Sequence, residues 1–251
     1  MAPEVVGSVA LLRRFPVKSM LGERLPSLVF DERGVAGDRL WAVRFADGKH
    51  GAGKHTPRFR TVEGLRYFSA CYEEGGEPDG QAGPGAAVPC VVFPDGTRWR
   101  GDADGIHRAL SDTLGREVTL AREAGVSLLD AGPGIVHLLT TATVAYVRGL
   151  LAGSDVDERR FRPNLLLDVD DPPGPVEDAW VGRSLSIGTA RFTVVEPTER
   201  CVMVNHDRDG MPYDGRILKA LYRATAMHAG VYAKVVTPGT VRAGDKARLS
   251  A

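Results

Sequence analysis

The sequence predicts a mainly β protein with a few helices, an α+β fold with a β-barrel-like first half. Two observations carry this. Short apolar segments, many of them alternating, recur along the chain between Gly, Pro and Asp turn signals, whereas only three stretches have helical periodicity. Val9–Leu12 and Ser27–Phe30 read as strands flanking the segment Phe15 to Leu25. Leu40–Phe45 is a strand ending at the turn signal Asp47-Gly48, and Tyr67–Tyr72 and Val88–Phe93 continue the series to a second hairpin signal, Asp95-Gly96. Glu73 to Pro89, rich in Gly, Pro and Ala, has little to bury and reads as an exposed excursion. Regular short strands favour a barrel or sandwich over a doubly wound sheet.

The three helices are Ile106–Leu114, with Gly115 as its stop; Thr141–Leu151, opened by hydroxyl caps; and Asp214–Met227, after Pro212. The chain returns to strand at Val231–Val236 and, past the turn Pro238-Gly239, at Thr240–Arg242. Polar, Gly and Pro residues cluster between Arg122 and Gly134, which sets expected domains of 1–122 and 123–251.

The 251 residues carry 32 basic and 32 acidic side chains, so no global field draws the chain to nucleic acid or membrane. No signal peptide opens it, and its longest apolar runs fall short of a membrane span. A cytoplasmic protein acting on a small molecule is expected. Three cysteines lie far apart with no paired spacing, which argues against a disulfide framework or a structural zinc site. Cys71 and Cys90 sit in strand patterns and read as packing residues. Cys201 stands beside Arg200 in a polar turn, Glu196 to Cys201, expected between strands Val194-Val195 and Val202–Val204. A neighbouring arginine favours thiolate, the form that attacks electrophiles or binds soft metals. A half-buried core thiol is the competing reading.

Three further polar clusters sit at strand ends: Phe15-Pro16-Val17-Lys18-Ser19-Met20, Gly34-Val35-Ala36-Gly37-Asp38-Arg39, and Arg159-Arg160-Phe161-Arg162-Pro163-Asn164 ahead of Leu165–Leu167. Lysine, arginine and hydroxyl groups together suit phosphate and planar heterocycles. The competing reading is solvated strand ends, with Asp38–Arg39 a surface pair worth little. No phosphate-binding loop, dinucleotide fingerprint or nucleophile elbow is present. His206, five residues after Cys201, allows a Cys/His nucleophilic pair but reads first as exposed. His107, His137 and His228 read as structural.

At these clusters the chain resembles the MOSC superfamily, in the branch with an N-terminal β-barrel domain that includes the mitochondrial amidoxime-reducing component. The residues carrying the resemblance are Phe15–Ser19, Gly37-Asp38-Arg39 with Trp41–Val43, and Phe161–Asn164 with Leu165–Leu167. Asp178–Gly182, Arg200-Cys201, and Gly230–Ala233 through Pro238-Gly239 and Gly244-Asp245 complete it, in family order. The resemblance implies an N-terminal barrel-like domain followed by a MOSC β-barrel domain, holding a molybdenum cofactor, a molybdopterin dithiolene with a phosphate tail. Carried over by residue, Cys201 becomes the molybdenum ligand and catalytic residue. Lys18, Ser19, Arg39, Thr140, Thr141, Arg162, Asn164 and Arg200 become cofactor-binding residues. Pro57, within His55–Arg60, departs from the family pattern, so Arg58 and Arg60 are not carried over. The implied reaction is reduction of N-hydroxylated compounds, with electrons from a separate donor protein. Two other classes stay open: a metal-free sulfur-transfer or C–S bond-cleaving protein using Cys201 as nucleophile or persulfide carrier, and a cofactor carrier without turnover.

Overall fold

The computed structural model describes residues 3–73 and 88–250; most of the expected excursion at Glu73–Pro89 therefore lies outside the described residues. In chain order the first strands are β1 (Glu4–Arg14), β2 (Glu23–Leu25), β3 (Ser27–Asp31), β4 (Gly34–Val35), β5 (Trp41–Arg44), β6 (His50–Ala52) and β7 (Phe59–Thr61). Then come β8 (Ser69–Cys71), β9 (Cys90–Val92), β10 (Arg98–Arg100), α1 (Ile106–Leu114), β11 (Thr119–Arg122), β12 (Ile135–Thr140), α2 (Thr141–Gly149) and β13 (Leu165–Asp168). The last are β14 (Ser184–Ile187), β15 (Ala190–Glu199), α3 (Arg216–Thr225), β16 (His228–Thr237), β17 (Gly239–Arg242) and β18 (Lys246–Ser250).

These elements form two compact units. One gathers Met1–Arg13, Arg24–Ala36 and Pro133–Ala251; the other holds Arg14–Glu23 and Gly37–Gly132. The division expected at 122/123 falls inside the second unit, and two early segments fold with the C-terminal half.

The first unit is a closed barrel. Its strands run β13-β12-β16-β15-β14-β18-β1, and β13 pairs with β1 to shut the ring. Only β12–β13 is parallel within the ring. Successive strand side chains face opposite ways. Val136 and Leu138 therefore point into the barrel core, while Leu139 joins a second cluster with Val144, Val147, Ile217 and Leu221 of α2 and α3. Leu165, Leu166 and Leu167 divide in the same way. Both faces being covered explains why these strands read as continuous apolar runs. In β1 a register shift between Val9 and Leu11 lets Val9 and Leu12 face the barrel while Leu11 faces the helices. Phe30 and Phe192 fill the barrel centre edge to face, 5.1 Å apart.

The second unit contains a four-stranded sheet, β11-β5-β6-β7, and a three-stranded sheet, β10-β9-β8. Val17, Met20, Val43, Phe68, Val91 and α1's Ile106 and Leu110 share its core. The helix ends as predicted at Gly115, whose φ of 62° is a left-handed cap that glycine adopts without steric cost.

Three local expectations are corrected. Val202–Val204 is a 3₁₀ turn, and β15 runs on to Glu199, so the polar turn shrinks to Arg200-Cys201. Glu196–Glu199 remains paired to β16, ladder bonds outweighing polar composition. Tyr67 closes a 3₁₀ turn, Leu65–Tyr67, rather than opening a strand. Among the described residues no helix is long and apolar enough to cross a membrane.

Phe192 has no exposed surface, whereas Val195 on the same strand is 42% exposed. Phe192→Ala is expected to cost about 3–5 kcal/mol through the cavity it leaves. Val195→Ala should change stability by no more than about 0.5 kcal/mol. Urea midpoints at unchanged slope check both, and comparable losses would contradict the barrel packing.

Candidate functional site

In the barrel unit, β15 delivers the chain to Arg200 and Cys201. The Arg200 N–H donates to Met227 O at 2.8 Å, and its Nη2 donates to Phe161 O at 2.6 Å. Its Nη1 stands 3.3 Å from His137 Nε2. A guanidinium has only donors, so Nε2 is the acceptor and a neutral His137 carries its proton on Nδ1. Gly230 leaves room for this ring: a Cβ there would lie 2.5 Å from His137 Nε2. Asn164 joins the same group. Its Oδ1 accepts from the His137 N–H at 3.3 Å and its Nδ2 donates to Arg13 O at 3.1 Å, so the amide bridges β12 and β1. Arg200, His137, Asn164 and the Phe161-Arg162 corner are therefore one connected group, with half-buried Cys201 next in sequence.

Thr140 and Thr141 serve a different assembly. Thr140 caps α2 by accepting from the Thr143 N–H, and donates to Glu177 Oε2 at 2.7 Å; Thr143 Oγ1 lies 2.7 Å from both Glu177 oxygens. Glu177 has no exposed surface, and burial pushes its carboxyl up against the opposing pull of the two hydroxyls. Thr141 reaches Asp168 and the Val169 N–H.

The loop after Cys201 is held by arginines. Arg160, fully buried, donates to four main-chain carbonyls: Asp155 at 2.6 Å, Val204 and His206 at 3.2 Å each, and Pro212 at 2.7 Å. Arg159 pairs with Asp157 and, at 2.8 Å, with Asp209. Arg208 is buried and donates to Met203 O. The run of three arginines is thus a scaffold at Arg159 and Arg160 and a corner at Arg162, not a solvated strand end.

In the second unit, Lys18 is 3% exposed. Its ammonium donates to Leu128 O at 2.8 Å and Asp130 at 3.2 Å, and lies 4.2 Å from the Phe59 ring centre. Burial lowers its pKa to about 8, against the pull of Asp130. For Asp130 burial acts upward, but Lys18, Lys54 and Arg39 outweigh it and hold the carboxyl at about 2. Ser19 Oγ accepts from the Gly53 N–H at 2.9 Å. Asp38, 2% exposed, accepts from the Phe15 N–H at 2.7 Å and from Arg39, whose guanidinium covers the Phe15 ring. The surface-pair reading of Asp38–Arg39 is therefore corrected: Asp38 is buried and Arg39 half-buried in the turn they organise. Arg58, set aside by the sequence, donates to Ser127 O and Leu129 O.

Backbone strain marks the same residues. Ser19 (φ 68°), Arg39 (49°) and Arg162 (56°) lie in the left-handed region, joined among the described non-glycine residues by Asp209, Ala226 and Met227. Arg162 precedes a proline, which favours extended backbone, so its conformation is imposed from outside the dipeptide. Such positions cost about 1–3 kcal/mol each and gather at ligand sites. Buried polar atoms with no hydrogen-bond partner among the described residues include Trp41 Nε1 in the second unit, Asp178 Oδ1, and Thr198 Oγ1, three residues before Cys201. Sequence reasoning missed His137 because it sits on a periodic strand segment, where a polar residue reads as packing, and Thr198 because it falls in the run read as a polar turn.

Arg160→Ala leaves four carbonyls unmet at about 1–3 kcal/mol each, and should cost at least about 3 kcal/mol in all. Amide exchange should accelerate across 202–212; unchanged exchange there would contradict the clamp. Lys18 gives a pH signature. Its folded pKa is depressed, so between about pH 8 and 10.5 the unfolded chain binds more protons and stability gains with rising pH. The difference in stability between the wild type and Lys18→Met should rise across that window and stay level from pH 6 to 7.5. A flat difference throughout would contradict the burial of the ammonium.

Residues 134–248 match the family model of the MOSC domain, and residues 6–66 match that of the MOSC N-terminal beta barrel domain. Arg162, Asn164, Arg200 and Cys201 fall in the first match; Lys18, Ser19 and Arg39 fall in the second. Among solved structures, the chain is similar to APC1665, the YUAD protein from Bacillus subtilis, at 12% identity over 97% of this chain and 95% of that one, with a TM-score of 0.50. It is also similar to YiiM from Geobacillus stearothermophilus, at 17% identity over 46% of this chain and 54% of that one, with a TM-score of 0.34. The first likeness is one of fold. No curated protein matches the chain.

Proposed function

We propose that this chain, which belongs to the MOSC-domain family and carries the family's N-terminal beta barrel domain, is a molybdenum-cofactor oxidoreductase acting on N–O bonds, with Cys201 as the single protein ligand of the metal. The observation that carries the reading is Cys201 itself, a half-buried thiol on a turn pinned by buried arginines. A soft thiolate suits a metal already bonded to sulfur. Among the described residues no three His, Cys, Asp or Glu side chains are grouped to hold a metal ion, so a metal here would arrive with ligands of its own.

The residues present fit such a group. The buried hydroxyl of Thr198 has a hydrogen bond still to make, and Arg162 is held in a strained conformation beside the corner that Arg200 fastens. Arg162 and Arg200 suit a phosphate and the polar edge of a pterin, by charge-assisted hydrogen bonds. Lys18, Ser19 and Arg39 carry the same chemistry in the second unit. His137 and Asn164 keep Arg200 and β1 in place and act as positioning residues. When bound, the cofactor supplies the two-electron transfer that takes oxygen from a hydroxylamine or amidoxime, with two protons completing the amine or amidine and water. The electrons come from a separate donor protein. In the sulfur-transfer alternative, the Cys201 thiolate attacks a sulfur donor without metal.

Protein made in a cofactor-synthesising host should carry close to one molybdenum per chain and release a pterin on acid oxidation. Metal-free protein with full turnover would replace this reading by sulfur transfer. Cys201→Ser should abolish N–O reduction, while Cys71→Ser and Cys90→Ser retain it; equal loss in all three folded variants would remove Cys201 from the centre. Arg162→Ala should lower cofactor affinity about tenfold to a hundredfold, for a charge-assisted contact worth about 1.5–3 kcal/mol. Arg162→Lys should recover part of it. Exposed Arg223 on α3 is the control, and identical retention after dialysis in Arg162→Ala and Arg223→Ala would contradict the assignment.

A further inference from the structure

Cys71 and Cys90, far apart in sequence, are opposite partners on the antiparallel strands β8 and β9. Ala70 and Val91 point into the second unit's core, which places the two cysteines together on the other face of the sheet. The Ala70 N–H is taken by Leu21 O at 2.9 Å, and the Pro89 carbonyl accepts from Gly101 at 2.7 Å. By alternation, Cys71 and Cys90 turn their own N–H and C=O groups toward each other. In such a pair the Cα atoms lie about 5.5 Å apart, inside the range that a disulfide spans, about 4.4–6.8 Å. Cys71 is half-buried and Cys90 buried. Arg98, on the adjoining strand β10, reaches Cys71 Sγ at 3.9 Å.

We infer that Cys71 and Cys90 form a reversible dithiol–disulfide couple, a modification site separate from Cys201. The geometry also fixes the kind of couple. Cβ atoms of a directly opposed pair stand about 4.5–5.5 Å apart, the hydrogen-bonded kind at the wide end, whereas a relaxed disulfide has them at about 3.5–4.5 Å. Closing the bond pulls two paired strands together, and a strained disulfide is more easily reduced than a structural one. It is a couple that small thiols reverse, not a permanent staple.

The oxidant is a small-molecule disulfide. The Cys71 thiolate attacks one of its sulfurs, the S–S bond breaks, and one small thiolate leaves. Cys90 sulfur then attacks Cys71 Sγ and expels the second. Two protein thiols become one disulfide, one small disulfide becomes two thiols, and the two protons move from protein to leaving groups. Arg98 stands where a cation favours the Cys71 thiolate. Burial, foremost, and the neighbouring Cys90 raise the Cys71 thiol's pKa, so the exchange accelerates as pH rises.

The test treats the reduced, desalted full chain with oxidised glutathione, alkylates remaining thiols, and maps peptides by mass spectrometry. The expected product is a Cys71–Cys90 cross-linked peptide lighter by two hydrogens, formed equally in Cys201→Ser and reversed by reduced glutathione. Cys90→Ser should stop at glutathione attached to Cys71. The inference fails if wild-type protein keeps glutathione on Cys71 with Cys90 alkylated, links Cys71 to Cys201, or leaves both thiols free while folded. None of these outcomes depends on the metal content of the protein.

Discussion

β1 is bonded on one side to β18 and on the other to β13, so the first strand of the chain closes a barrel made otherwise from its second half. A ring has no free edge, which removes the exposed ladder an open sheet would present. Closure demands close backbone approach at the seam: a Cβ on Gly7 would stand 2.4 Å from Asp168 O. The seam also holds Asn164, whose amide ties β1 to β12 and whose own strand segment leads out of the Arg162 corner. The placement of His137, Arg200 and Cys201 follows from that tie.

Around the seam, charge is used for positioning. Arg160 has no carboxylate partner among its hydrogen bonds and serves four carbonyls, which a loop without regular structure would otherwise leave unmet. Arg200 is fastened to Phe161 and His137. The molecule thus orders an irregular segment next to a thiol at the cost of burying guanidinium groups and straining Arg162. That combination is expected where a ligand's geometry must be matched.

Much of this was legible in the sequence. Strand spacing gave the β class, the Gly115 stop ended α1 where expected, and the strand-end clusters at Lys18, Arg39, Arg162 and Cys201 drew attention to residues with unusual backbone or burial. What was not legible depends on long-range contact. Polar Glu196–Glu199 looked like a turn because composition does not reveal that β16 pairs it into strand. Arg160 looked like its neighbours because four carbonyls from three segments meet it only in the fold. Cys71 and Cys90 looked unrelated because their pairing joins positions nineteen apart. The division at 122/123 missed that Met1–Arg13 and Arg24–Ala36 belong with the barrel.

The proposed function turns on a bond between the Cys201 sulfur and the metal of a cofactor that brings its remaining ligands. X-ray absorption at the molybdenum edge of the loaded protein addresses it directly. The sulfur coordination around molybdenum is expected to fall by one in Cys201→Ser, with the dithiolene sulfurs retained. Identical spectra from wild type and variant, at equal molybdenum content, would contradict it.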